Sequence, residues 1–222
     1  VSASPGRTVF LPLALLVALV AFGLGVHTLD LVDLQATLAH ARIHAAQWWF
    51  APLLVLLQVL LFTFALPGSA TLWLVAPLFA PFAATFILTA GGCIGALSAH
   101  AFARGLAGTR LARLQASHGY GVMRSQSDFL MQCALRLTPG FPHSAINYTA
   151  GVLRLPIVPF AVAAAIGFGI KAWLYSNLIE QALAAGTPAD LLAPEALWPL
   201  VALALVLLAA RAVRRSRGGD AE

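Results

Sequence analysis

The stretch "LPGSATLWLVAPLFAPF" (residues 66–82) is apolar from end to end, yet it is broken by Pro67-Gly68, Pro77 and Pro81. It sits inside a run from Phe50 to Ala103 that contains no charged residue. A single membrane-spanning helix needs about 20 apolar residues, so the run is too long for one span. Two spans joined at 66–82 would leave the joining loop with nothing to hold it in water. A re-entrant hairpin fits better. Helix 50–65 enters, breaks at Pro67-Gly68, and 70–80 returns; residues 82–103 then cross. Irregular backbone at depth is tolerated where protein or a watery cavity satisfies its polar groups.

Composition agrees with a membrane setting. The chain of 222 residues is 60% hydrophobic and 9% charged, and its mean hydropathy is +0.88. A soluble domain of this size would need more charge to cover its surface. Lys+Arg exceed Asp+Glu by 13 to 8, but the basic residues lie in short segments that flank apolar runs. There they orient the chain in the membrane and give no sign of a nucleic-acid partner. Cys93 and Cys133 sit in apolar segments with no metal or redox spacing and read as small packing residues.

Charge also decides the topology. Segment 104–127 carries Arg104, Arg110, Arg113 and Arg124 and no acid, whereas 28–48 carries Arg42 with Asp30 and Asp33. The positive-inside rule puts these segments on opposite sides, as one hairpin plus one span requires. The acidic 185–196 is expected outside and the tail "RAVRRSRGGDAE" (211–222) inside. Residues 128–179 therefore cross an odd number of times. Helix 128–138, a broken stretch at 139–155 and helix 157–178 supply a second hairpin and a span, and helix 195–212 returns. Upstream, Val9–Val26 reads as a retained transmembrane helix after Arg7. Residues 28–48 read as an interfacial amphipathic helix.

The expected fold is an all-α integral membrane protein. It has about four spanning helices plus two re-entrant helical hairpins arranged as an inverted repeat. Residues 1–48 hold the first transmembrane helix and the interfacial helix, 49–185 the core, and 186–222 the last transmembrane helix and basic tail. "LPGSATLWLVAPLFAPFAATFILTAGG" (66–92) and "TPGFPHSAINYTAGVLRLPIVPFAVAAAIGFG" (138–169) both pair a Pro-Gly break with a Pro-Phe span start and later glycine. Broken helices meeting in an inverted repeat are a transporter arrangement. The expected location is the cell inner membrane, multi-pass, with cytoplasmic termini.

Polar residues in this setting are the candidate site. Asp128, Gln132 and Arg136 are four apart and form one stripe on an apolar helix, opened by a capping-box-like Ser125-x-x-Asp128. An arginine at depth costs about 2.5–3.5 kcal/mol on insertion scales, so it needs a partner. Two readings stand: compensation of a helix C-terminus, or binding of a transported anion. Lys171, the sole lysine, shares a small-residue face with Ala163 and Gly167; it either snorkels to headgroups or lines a path. His143, Asn147 and Tyr148 either line that path or satisfy broken backbone. Gly91, Gly95, Ala99 and Ala103 form a small-residue packing ridge. His100 and Arg104, on the adjacent ridge, join Asp128 and Gln132 as a candidate polar relay. Pro67, Gly68, Pro139, Gly140, Pro142 and Gly151 shape the hairpins. No cofactor or metal is implied.

"LRLTPGFPHSAINYTAGVLRLP" (135–156) resembles the signature of the DedA superfamily in its VTT-domain (SNARE-associated Golgi protein) branch. Arg136, Pro139, Phe141, Pro142, Asn147, Tyr148 and Gly151 fill the signature places. The upstream "LPGSATLWLVAPLF" and "GGCIGALSAHAFARGLAG", with Arg104, resemble that branch's first hairpin and following helix. The resemblance covers roughly 45–185. It implies two facing re-entrant hairpins and lipid movement across a bilayer, in relatives often with proton coupling. This chain departs from the pattern: 50–103 has no acid, and "APLFAPF" replaces the usual Phe/Leu-x-Gly. Proton coupling through hairpin carboxylates is therefore not expected.

The function expected is translocation or scrambling of an anionic, phosphate-bearing lipid, with Arg136, Lys171, Asn147, Tyr148 and His143 meeting it and membrane lipids as partners. The alternatives are transport of a small inorganic anion or metal oxyanion, and a structural membrane protein without transport. An enzyme is not expected, because the acids lie at segment ends, away from "TPGFPHS".

Overall fold

The structure, a computed structural model, describes residues 34–68, 70–107, 128–138, 142–185, 190 and 193–218. The chain packs as two units, Val1–Ile43 and His44–Glu222. Among the described residues there are eight helices and no strand: α1 Leu34–Ala45, α2 Phe50–Thr63, α3 Ala70–Val75, α4 Pro81–Ala107, α5 Phe129–Leu137, α6 His143–Val152, α7 Ile157–Ala184 and α8 Pro194–Gly218. Of the first unit only residues 34–43, most of α1, are described, within the segment expected to be an interfacial helix. The expected helix at 9–26 and the arginines at 110, 113 and 124 lie outside the described residues, as do Ser125, Pro139, Gly140 and Phe141.

Two helices, Pro81–Leu106 and Ile157–Ala184, are long and apolar enough to cross a membrane. At about 1.5 Å per residue each exceeds the roughly 30 Å hydrocarbon core. A third candidate arises if 36–45 and 50–63 form one broken span. The apolar part of α8 is shorter, Leu197–Val213.

The breaks have a shared local cause. At the end of α2, Ala65 adopts φ 58°, Leu66 N–H donates to Leu61 O at 2.8 Å, and Ala65 N–H donates to Phe62 O at 3.2 Å. At the end of α6, Arg154 adopts φ 53°, Leu155 N–H donates to Ala150 O at 3.0 Å, and Arg154 N–H donates to Gly151 O at 3.1 Å. Both are Schellman motifs with a leucine in the position after the left-handed residue. A proline that cannot continue the helix follows, Pro67 or Pro156. Glycine normally takes the left-handed position, so alanine and arginine there carry backbone strain.

One expectation needs correction. The stretch 139–155 is not broken throughout, because it contains the ten-residue helix α6. Pro142 stands just before α6, where a missing N–H costs nothing, and nothing from His143 to Tyr148 stops a helix. Of the capping-box pair only Asp128 is described: α5 starts at Phe129, with Asp128 as its N-cap residue and no side-chain capping bond.

In the second unit α4 is central, with α2, α6 and α7 packed on it, while α5 and α8 pack on α7. The small-residue ridge makes this possible. A Cβ on Gly95 would stand 3.0 Å from two atoms of the Phe62 side chain and 3.2 Å from the Val59 backbone of α2. One on Gly91 would stand 2.5 Å from Gln58. At the other end of α4, Ala103 faces Gly151 of α6, where a Cβ would come 2.4 Å from His100 O. Gly151 thus serves a helix–helix contact, while its carbonyl accepts from Arg154 N–H in the break after α6. Such close approach is how helices associate without a hydrophobic driving force between them.

Candidate functional site

Arg136 is wholly buried, 0% exposed. Its place follows from α5: the i, i+4 stripe points Gln132 and Arg136 inward, and α5 packs on α7. Gly167 of α7 provides the track. A Cβ there would come within 2.7 Å of Arg136 Cβ, so the arginine stem lies directly on the α7 backbone. The guanidinium Nη2 donates to Asn147 Oδ1 at 3.1 Å, and Nη1 donates to Gln132 Oε1 at 3.5 Å, the outer limit of such a bond. Its Cζ lies 4.8 Å from the Phe160 ring centroid and 6.0 Å from that of Phe168. Among the described residues the partners of this cation are therefore amides and aromatic rings.

Lys171, one turn beyond Gly167, lies in a second place. Its Nζ is 3.4 Å from His143 Nε2 and 6.0 Å from the Tyr175 ring centroid. His143 and Lys171 border a cavity of about 40 Å³ shared with Gln58, Phe62, Gly68, Thr71, Leu72, Leu88, Phe168 and Ala172. At roughly 10–15 Å³ per probe-sized water, it has room for about three. Gly68 lets the first break approach: a Cβ there would overlap the Phe62 ring at 2.0 Å. Thr71 Oγ1 donates to Gly68 O at 2.6 Å and closes the turn into α3. Phe168 joins the two places, with its ring 5.1 Å from that of His143 and within reach of the guanidinium.

The expected site residues thus divide. Arg136 with Asn147, and His143 with Lys171, form two pairs. Tyr148 belongs to neither: its Oη donates to Thr63 O at 2.5 Å, tying α6 to the end of α2. The four residues of the expected relay are placed differently. His100 Nε2 bonds Leu155 O at 3.2 Å and packs 5.0 Å from Phe160, so it fixes the α6–α7 connection to α4. Arg104 is exposed. Gln132 alone of the four reaches Arg136. Cys93 and Cys133 are free thiols, half-buried.

A VTT-domain family model matches residues 66–181. The chain belongs to the VTT-domain family, that of DedA and SNARE-associated Golgi proteins. No curated protein and no solved structure matches it. The VTT domain runs from the first Pro-Gly break to within α7 and so contains both pairs. Gln58 and Phe62, which complete the cavity, lie upstream of it on α2.

Sequence reasoning missed three residues of this site. Gln58 is buried and donates through Nε2 to Leu88 O at 3.3 Å; as the one amide in α2, it carried a readable signal. Phe160 and Phe168 carried none, since phenylalanine in a span is ordinary.

Proposed function

We propose that this VTT-domain membrane protein moves a lipid with an anionic, phosphate-bearing headgroup across the bilayer. The observation that carries the reading is a group of unpartnered buried donors on Arg136, Asn147 and His143; Gln58 Oε1, also unpartnered, is a neutral acceptor and supplies no negative charge. Arg136 Nε, Asn147 Nδ2 and His143 Nδ1 are buried with no hydrogen-bond partner among the described residues. Leaving such groups unpaired costs about 1–3 kcal/mol each, more for a charged one. A phosphate group is acceptor-only, multivalent and negative, and matches those donors. The state seen is closed around Arg136, so transport requires the helices to part there.

In this reading the segments α2–α3–α4 and α5–α6–α7 are inverted repeats, each a helix, a break, a short helix and a span. About four spans complete the fold in an inner membrane, with both termini cytoplasmic. Cysteine labelling at positions 35 and 115, on a background without Cys93 and Cys133, should report opposite sides; labelling from one side contradicts the topology. The second reading is transport of a small inorganic oxyanion, favoured by the cavity of about 40 Å³.

The deciding experiment uses purified protein in liposomes, scored for leaflet exchange of labelled phospholipid and, separately, for uptake of labelled phosphate. Lipid exchange without uptake supports the proposal; uptake alone supports the rival. Arg136→Ala opens a cavity in a packed core, so activity is compared per folded molecule. Arg136→Lys keeps the charge and loses the planar fork. Both should lower exchange, Ala more than Lys. Full exchange by folded Arg136→Ala would return the arginine to a structural role.

A further inference from the structure

Lys171 and His143 stand apart from Arg136 in a way that gives them a task of their own. An ammonium donating to His143 Nε2 at 3.4 Å requires that nitrogen to be the acceptor. The ring proton is then on Nδ1. That Nδ1 is buried with no hydrogen-bond partner among the described residues, and His143 is 7% exposed. An ammonium offers three N–H donors, and His143 takes one of them. The cavity these groups border is lined otherwise by Gln58, Thr71, Gly68 and apolar side chains, with no carboxylate. Arg136, the other cation nearby, acts on His143 with the same sign as Lys171.

Water could occupy the donors but would leave the charge unbalanced. A second proton on His143 would set two cations 3.4 Å apart. An oxyanion resolves both: it accepts from the ammonium and the imidazole together, and apolar walls strengthen the attraction. The cavity of about 40 Å³ is open at its mouth, so a phosphate-sized group can reach the ammonium and the imidazole without being wholly enclosed. Half-buried Lys171 stands in its lining, whereas Arg136 is sealed and does not line it.

We infer that the Lys171–His143 cavity is a phosphate-class anion subsite, occupied in the closed state while Arg136 is still inaccessible. It deepens the transport reading by naming where the anion is first held. It does not need transport to occur, so the two can fail separately.

The test uses the full chain in detergent, without liposomes. Inorganic phosphate and, in a second arm, the soluble dihexanoyl phosphatidic acid are titrated at constant ionic strength against chloride, with affinity read by calorimetry. Saturable binding of either probe is expected. Binding of free phosphate shows that the ion suffices, and binding of the lipid probe alone shows that the acyl part is needed. Lys171→Gln should weaken binding by about tenfold or more, the loss of one charge-assisted bond. His143→Gln, which removes the Nδ1 donor, should weaken it by a smaller factor. Arg211→Gln, an exposed cation on α8, should change nothing. No saturable binding of either probe would overturn the inference, leaving a water-filled cavity. So would unchanged affinity in folded Lys171→Gln or, if that variant does not fold, in His143→Gln.

Discussion

Replacing Gly167 by alanine tests the placement of Arg136 without touching its charge. The added Cβ would stand 2.7 Å from Arg136 Cβ and 3.0 Å from Cδ. Ordinary carbon contacts lie at about 3.5–4.0 Å, so relief requires a shift of roughly 1 Å. The arginine stem must swing, or α5 must move off α7. Either strains the 3.1 Å bond from Nη2 to Asn147 Oδ1. A buried hydrogen bond to a charged group contributes about 1.5–3 kcal/mol. Against this, alanine in a helix interior is favoured over glycine by about 1 kcal/mol. The net expected is about 0.5–2 kcal/mol of destabilisation, which lowers the melting temperature by roughly 1–8 °C at this chain length. Gly169→Ala is the control in the same helix. Its Cβ meets nothing closer than the Thr89 side chain at 3.9 Å, so only the helix-propensity gain remains and the melting temperature should rise. Thermal unfolding in one detergent, followed by tryptophan fluorescence, reads both. If Gly167→Ala is stabilised as much as Gly169→Ala, Arg136 does not lie on α7 and the described site is wrong.

Two further substitutions probe the frame that holds the site. Gly95→Leu drives a side chain into Phe62 and the Val59 backbone. It should cost about 1–3 kcal/mol or more and reduce the monodisperse fraction on size-exclusion chromatography; unchanged stability would mean that the ridge does not carry the α2–α4 contact. Ala65→Gly relieves the left-handed backbone at φ 58° and should raise stability by up to about 1 kcal/mol; a lower melting temperature would show that the break after α2 does not use that conformation.

Local chemistry made much of the chain legible before any folding. Apolar runs with no charge announce a membrane protein, and their lengths announce where it spans. The prolines at 67, 81, 142 and 156 mark where helices stop or start because a ring without an N–H is costly in a helix interior, although α8 accommodates Pro199. Arg136 and Lys171 stood out because charge at depth is costly. One segment misled: Pro139, Gly140 and Pro142 crowd before α6 and masked a helix that their own positions permit. The left-handed Ala65 and Arg154 were also invisible, since the motif normally uses glycine.

What the sequence could not supply is who meets whom. Asn147 reaches Arg136 from 11 residues away, Lys171 meets His143 across 28, and Tyr148 finds Thr63 across 85. Those pairings depend on the path of the chain through its breaks and on how near α5, α6 and α7 come to one another. That nearness is set by single atoms at the contacts: the absent Cβ of Gly167 under Arg136, and that of Gly151 under His100. Periodicity shows which face of a helix is small or polar. Only packing decides which partner that face receives, so the division into a sealed arginine and a lysine–histidine cavity belongs to the tertiary structure.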